Sequence, residues 1–246
     1  MHGTDRARIR FVGARMPGVR CGVELVEFGN IERRAVRRRL QDPGTVTLVL
    51  LVRDIDAPFD RLKKAGVPIV TTGGVPIAMS ASNKSRAVMV KDPDGHFVEL
   101  IELDPLPATD LPSASNVIGI QLRVTVQDLD RSLAYYRRLL GIDGRLQPPV
   151  RDGKMAALMG LPDAQYTLSV ADIPGSRLAL QFIEFRGFER SAVRSRVQDP
   201  GSYRLQLNVR DIDSTLAGLS LAGGKVISLR SQPVRMTFGG RPWRLA

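Results

Sequence analysis

The chain repeats itself. Residues 17–28, PGVRCGVELVEF, match residues 174–185, PGSRLALQFIEF, and residues 38–56, RRLQDPGTVTLVLLVRDID, match 195–213, SRVQDPGSYRLQLNVRDID. Both matches are ungapped and share one offset, 157, which also carries Gly66 onto Gly223, Pro76 onto Pro233 and Met79 onto Met236. Turns and helix caps that recur in one register mean duplicated structure, not shared composition. The 246 residues must therefore pack two related halves, each of about 120 residues.

A shorter element recurs inside the halves: a strand followed by an acidic helix start, seen as LLVRDID, VTVQDLD and NVRDID. Taken in order, the pattern predicts strands over 7–12 and 19–28 with a turn at 16–18, and a short helix or loop over the basic stretch 31–40. A turn at QDPGT and an apolar strand at 46–52 follow. A helix is expected to start at Asp56, since Asp and Pro58 suit its first turn, and to end at Gly66, with Phe59, Leu62 and Ala65 inward. Strand segments come next at 67–70, 76–79 and 86–90. The hairpin signal Asp92-Pro93-Asp94-Gly95 then leads into a strand with Phe97, Glu99, Ile101 and Leu103 on one face. Residues 106–115, rich in Pro and Ser, read as a linker between halves at 1–105 and 116–246. After it the pattern restarts: IGIQLRVTV is a strand, and Asp130 is expected to cap a helix that buries Leu133, Tyr136, Leu139 and Leu140 and stops at Gly141. Strands are expected at 165–171 and 177–185. Each unit is a strand-helix-strand-strand-strand module with one apolar sheet face that it cannot bury alone.

Glu99 is the chemical oddity, a carboxylate among apolar residues at alternate positions of a strand. Such a group needs a partner or is a ligand. Composition narrows what it can do. Cys21 is the only cysteine, so there is no internal disulfide and no multi-cysteine metal centre. His2 and His96 are the only histidines. No apolar run reaches the length of a membrane span and the N-terminus lacks a secretion-signal core, which fits a cytoplasmic protein. The net charge of +11 is carried by arginines, densest at 33–39 and again at 186–196. That charge could steer an anion, but no nucleic-acid reading element accompanies it, so nucleic acid is not the expected partner.

The segments DPDGHFVELIE at 92–102 and NVIGIQLRVTVQDLDRSLAYYRRLLG at 116–141 resemble the vicinal oxygen chelate superfamily of glyoxalase I, bleomycin-resistance proteins, extradiol dioxygenases and epimerases. The resemblance implies an α+β fold of tandem βαβββ modules paired into half-barrel cups. Here they form two tandem repeats whose first module (7–28) and last module (202–246) are incomplete, around complete modules at 45–103 and 116–187. It also implies one metal ligand from the opening and one from the closing strand of each module in a pair. With modules one and two as one pair, and three and four as the other, those positions are Glu24, Thr47 and Glu99, then Gln121, Gln181 and Arg204.

Gln ligates through its oxygen, and family members use it at the Gln121 position, but a guanidinium has no lone pair and repels a divalent ion. Two histidines and a carboxylate on iron, as a dioxygenase needs, are not on offer. Glu99 and Glu24 remain as weak metal ligands or as acid–base residues of an enolising mechanism. Gln121, Gln181, Arg204 and Thr47 are expected to line a polar pocket. The expectation is a glyoxalase/bleomycin-resistance-type protein that binds a small organic, perhaps anionic, molecule in a paired-module cavity without an intact catalytic metal centre. No cofactor is expected beyond a weakly held Zn, Ni, Mn or Fe ion. The alternative is a divalent-metal-dependent lyase or isomerase that uses Glu24 and Glu99. The incomplete modules expose sheet edges that could complement each other within the chain or across a homodimer.

Overall fold

A computed structural model describes residues 7–16, 21–173, 175, 178–228, 232–238 and 240–245. The turn expected at 16–18 falls outside these from residue 17 on, as does His2. Among the described residues thirteen strands and four helices follow one another: β1 (Arg8–Arg15), β2 (Gly22–Gly29), β3 (Val46–Val52), α1 (Asp56–Lys64), β4 (Ile77–Ala78), β5 (Arg86–Lys91) and β6 (Phe97–Glu102) come first. They are followed by β7 (Val117–Thr125), α2 (Leu129–Leu140), β8 (Arg145–Leu146), β9 (Val150–Arg151), α3 (Gly153–Leu158), β10 (Gln165–Ile173), β11 (Leu178–Arg186), α4 (Ile212–Leu221), β12 (Val234–Phe238) and β13 (Arg241–Leu245). The fold is α+β, as the resemblance implies.

α1 starts at Asp56, as expected, although no side chain caps it. The preceding turn is held instead by Asp54, which accepts from the Asp56 N–H, and by Glu102, which accepts from the Ile55 N–H. Asp128, not Asp130, caps α2. Its extended backbone lets the carboxylate accept from the Arg131 N–H, whereas Asp130 lies inside the first turn. Gly141 ends α2 in the left-handed region at φ 64°, where a residue without Cβ is least strained. The 31–40 stretch forms neither helix nor strand, and residues 202–209, the expected opening strand of the last module, carry none either.

Nine strands form one sheet in the order β4-β5-β6-β3-β7-β11-β10-β8, with β9 also on β10. The opening strands of modules two and three pair antiparallel, β3 on β7. The shared cup therefore lies between these two modules, not within each half. The physical route is short. Residues 105–115 return the chain beside β3, strapped by Arg53, which donates to the Leu111 and Ser115 carbonyls. Alternation then sorts the side chains. Val46, Leu122, Leu180 and Phe182 face α2 and build a core with Leu129 and Leu133. Ala87, Met89, Phe97, Ile183 and Phe185 face the other way and pack with Leu158, Met159 and Tyr166. Burial of these side chains supplies most of the folding drive, about 1.5–3 kcal/mol for each large one.

The terminal fragments sit on the α2 side. Cys21, Val23, Tyr203 and Leu205 pack against the α2 core, while β1–β2 and β12–β13 each form a two-stranded sheet of their own. The β1–β2 ribbon leaves Ile9, Phe11, Val12 and Leu25 exposed.

The duplication is also a contact. The two QDPG turns meet arms from the opposite half in reciprocal pairs. The Ser191 N–H donates to Asp42 at 3.0 Å and the Arg34 N–H to Asp199 at 2.9 Å. The Val193 N–H donates to the Pro43 carbonyl at 2.7 Å and the Val36 N–H to the Pro200 carbonyl at 3.1 Å. The residues of each second bond are those of the first moved by 157, with donor and acceptor exchanged between halves. This is the isologous geometry of a two-fold dimer, built inside one chain.

Candidate functional site

The strand register brings five polar side chains onto the face away from α2. Glu99, Val49 and Gln121 occupy one row across β6, β3 and β7, and Thr47, Arg123 and Gln181 occupy the next across β3, β7 and β11. Thr47, Glu99, Gln121 and Gln181 are thus the opening- and closing-strand positions of modules two and three, gathered in one cup.

Their connections run through a residue that the sequence reading did not single out. Arg123 donates through Nη1 to Glu99 Oε2 at 2.5 Å, through Nη2 to Oε1 at 3.3 Å, and through Nε to Gln181 Oε1 at 2.7 Å. Gln181 Nε2 donates in turn to Gln121 Oε1. Glu99 is 1% exposed and Arg123 6%. A buried carboxylate is costly unless paired and hydrogen-bonded; here both of its oxygens meet one guanidinium. The signal for Arg123 lay in the alternation of IQLRVT, which places it on the same face as Gln121. Gln121 is half-buried and forms the more accessible end of the chain of hydrogen bonds.

α3 roofs this face. Asp152 caps it by accepting from the Lys154 and Met155 N–H groups. Thr71 Oγ1 donates to the Leu158 carbonyl and accepts from the Met89 N–H, while the Thr72 N–H donates to Ala157. Met79, Met89, Met155 and Met159 all belong to the surrounding cluster. Unbranched thioethers fill irregular space and repack at low cost.

The remaining sequence candidates lie elsewhere. Glu24 is an exposed residue of β2, paired in register with Gly13 in a separate sheet. Its neighbour is Arg204: desolvation lowers the Arg204 pKa, and the Glu24 carboxylate acts against that shift. The offset of 157 carries Glu24 onto Gln181 and Thr47 onto Arg204, so these two are the cup positions of the other repeat. Glu24 and Glu99 do not meet.

His96 stands in the turn before β6. Burial pushes its imidazole below the ordinary value; Asp92 and Asp94 oppose that effect and Arg38 reinforces it. Arg38 is itself buried and donates to the Gly201 carbonyl.

Among the described residues, no group of three or more His, Cys, Asp and Glu side chains is placed to hold a metal ion. The cup's oxygen donors are Glu99, Gln121, Gln181 and Thr47. As arranged they do not fit a divalent ion, because a fixed positive charge sits on the carboxylate that would be the strongest ligand.

The family model of the Glyoxalase/Bleomycin resistance protein/Dioxygenase superfamily matches residues 6–100 and 120–241. Among solved structures, a point mutant of glyoxalase I from Zea mays aligns with a TM-score of 0.56 at 20% identity, covering 87% of this chain and 66% of that one. Unmutated glyoxalase I from Zea mays aligns at 0.45 and 20%, covering 68% and 50%. Methylmalonyl-CoA epimerase from Mycobacterium tuberculosis aligns at 0.39 and 15%, covering 60% and 92%. The chain thus spans 66% and 50% of the two maize structures. At these identities the likeness is one of fold. No curated protein matches the sequence significantly.

Proposed function

We propose that this chain, which belongs to the Glyoxalase/Bleomycin resistance protein/Dioxygenase superfamily, binds a small organic anion in the cup between its second and third modules, with Arg123 in place of a catalytic metal. One observation carries this reading: the Arg123 guanidinium is clamped between Glu99 and Gln181 on the face where the ligand positions converge. A carboxylate or carbonyl oxygen of a ligand entering past Gln121 would accept from Arg123 or from the Gln181 amide, exchanging one charge-assisted hydrogen bond for another. The methionine-rich roof accommodates the exchange. A homodimer in solution and a cytoplasmic location accompany this reading.

The competing reading, a divalent-metal-dependent lyase or isomerase, needs Glu24 and Glu99 in one site, and the two occupy different sheets. The test is ligand-observed NMR with a series of small 2-oxo and 2-hydroxy carboxylates against the parent protein, Gln121→Ala and Gln181→Ala. Saturable binding that weakens about tenfold in both variants supports the reading, as loss of a hydrogen bond to a charged group should. Binding that neither variant alters overturns it.

A further inference from the structure

We propose that the depression where β9, β10 and residues 186–188 meet is a second binding site, separate from the cup, for an aromatic carboxylate. The cavity has a volume of about 370 Å³, within the usual range of small-molecule sites. Strand pairing assembles its charged wall: Gln165 is in register with Arg151 on one side and Arg186 on the other, so two guanidiniums flank one amide in a single row. Neither arginine is closely paired. Arg186 approaches Glu184 only to 3.9 Å, and Arg151 forms no ion pair among the described residues. Guanidinium forks match the geometry of a carboxylate, and two of them can share its oxygens.

Phe188 supplies the apolar wall. Its ring is held edge-on to Phe185, with centroids 6.4 Å apart at 85°, and packs on the buried cluster beside the cup. A fixed ring next to two cations selects a ligand with an aromatic face and one negative end. Asp163 lies on the rim in the left-handed region at φ 60°. It lowers the net positive charge of the wall, which favours a monoanion over a phosphate dianion, and it offers an acceptor to a ligand hydroxyl. None of these residues belongs to the polar network around Arg123.

The experiment is titration of the parent protein with benzoate, 4-hydroxybenzoate, cyclohexanecarboxylate and inorganic phosphate by isothermal calorimetry at low and physiological salt. Arg151→Ser, Arg186→Ser, their combination and Gln181→Ala are titrated alongside. Both arginines are exposed, so their replacement leaves the core intact. Benzoate should bind with one site per chain, about tenfold more weakly in each arginine variant and undetectably in the double variant. Cyclohexanecarboxylate and phosphate should bind more weakly than benzoate, and the benzoate site that the double variant loses should persist in Gln181→Ala. Benzoate affinity that is unchanged in the double variant, or equal affinity for phosphate, overturns the proposal. Loss of benzoate binding in Gln181→Ala with the double variant unaffected would assign that ligand to the cup and also overturn it.

Discussion

Arg123 reaches across from β7 to take both oxygens of Glu99 on β6, although β3 lies between them. The pair ties the closing strand of one module to the opening strand of the next at a point closed to solvent. Its energetics are asymmetric: the bonded pair contributes little net stability, and either partner alone is a buried, uncompensated charge. Arg123→Met should therefore cost about 3–5 kcal/mol, and the combination with Glu99→Leu should recover most of that loss. Guanidinium chloride denaturation of the two single variants and the double variant reads the cycle. An Arg123→Met protein within about 1 kcal/mol of the parent would show that Glu99 is solvated or protonated instead.

The reciprocal arms place a carboxylate at each end of the two-fold contact, and these carboxylates set the acid limit. Hydrogen bonds from the Arg196 side chain lead the causes that hold Asp199 far below the ordinary carboxylate range. At Asp42 burial acts upward, and hydrogen bonds from Arg39 and the Ser191 N–H outweigh it, so its pKa is also lowered. A lowered folded-state pKa gives stability that is present above the unfolded value and lost as pH falls through the folded one. The urea midpoint should fall between about pH 4 and pH 2, and Asp199→Asn should flatten that slope. An unchanged slope in Asp199→Asn would contradict the assignment.

His96 acts in a different window. Burial disfavours its charged form, so the unfolded chain takes up the proton first. Stability should be full above the ordinary histidine value of about 6.5 and decline as pH drops from there toward the lower folded value. His96→Gln should remove this decline and leave the carboxylate-driven loss at lower pH intact. Chemical denaturation at half-unit pH steps separates the two limbs.

The two repeat glycines should not be equivalent. Gly44 and Gly201 are related by the offset and both have positive φ, 91° and 83°. A Cβ at Gly44 would lie 3.5 Å from the Val193 carbonyl oxygen, whereas one at Gly201 would lie 2.8 Å from that of Asp94. Gly44→Ala should cost about 1 kcal/mol for the strained backbone, and Gly201→Ala clearly more because a backbone oxygen must also shift. Equal melting temperatures for the two variants would contradict the contact between the DPDG turn and the second half.

Local elements were legible in the sequence where one signal dominated. The apolar run of β3, the Asp-Pro-Asp-Gly turn and the α2 exit at Gly141 stand where periodicity and turn chemistry place them. Glu99 was conspicuous for the reason it matters, a charge on an apolar face. What escaped was its partner. Arg123 lies 24 residues away in the next module, and the two meet only because β3 pairs with β7, an edge choice made by tertiary packing and not by local pattern. The six-residue α3 is too short to show periodicity. Glu24 looked like a partner of Glu99 because the repeat was paired within halves. In the folded chain the pairing crosses the linker, and Glu24 lies within the electrostatic reach of Arg204 instead.

The most direct test of Arg123 as the cup's resident cation is elemental analysis of the purified protein after dialysis against Ni, Zn, Mn and Fe salts, with Glu99→Ala measured in parallel. Metal contents that are far below one ion per chain and indistinguishable between parent and variant are the predicted result. About one ion per chain in the parent, lost in Glu99→Ala, would make Glu99 a metal ligand and contradict the account.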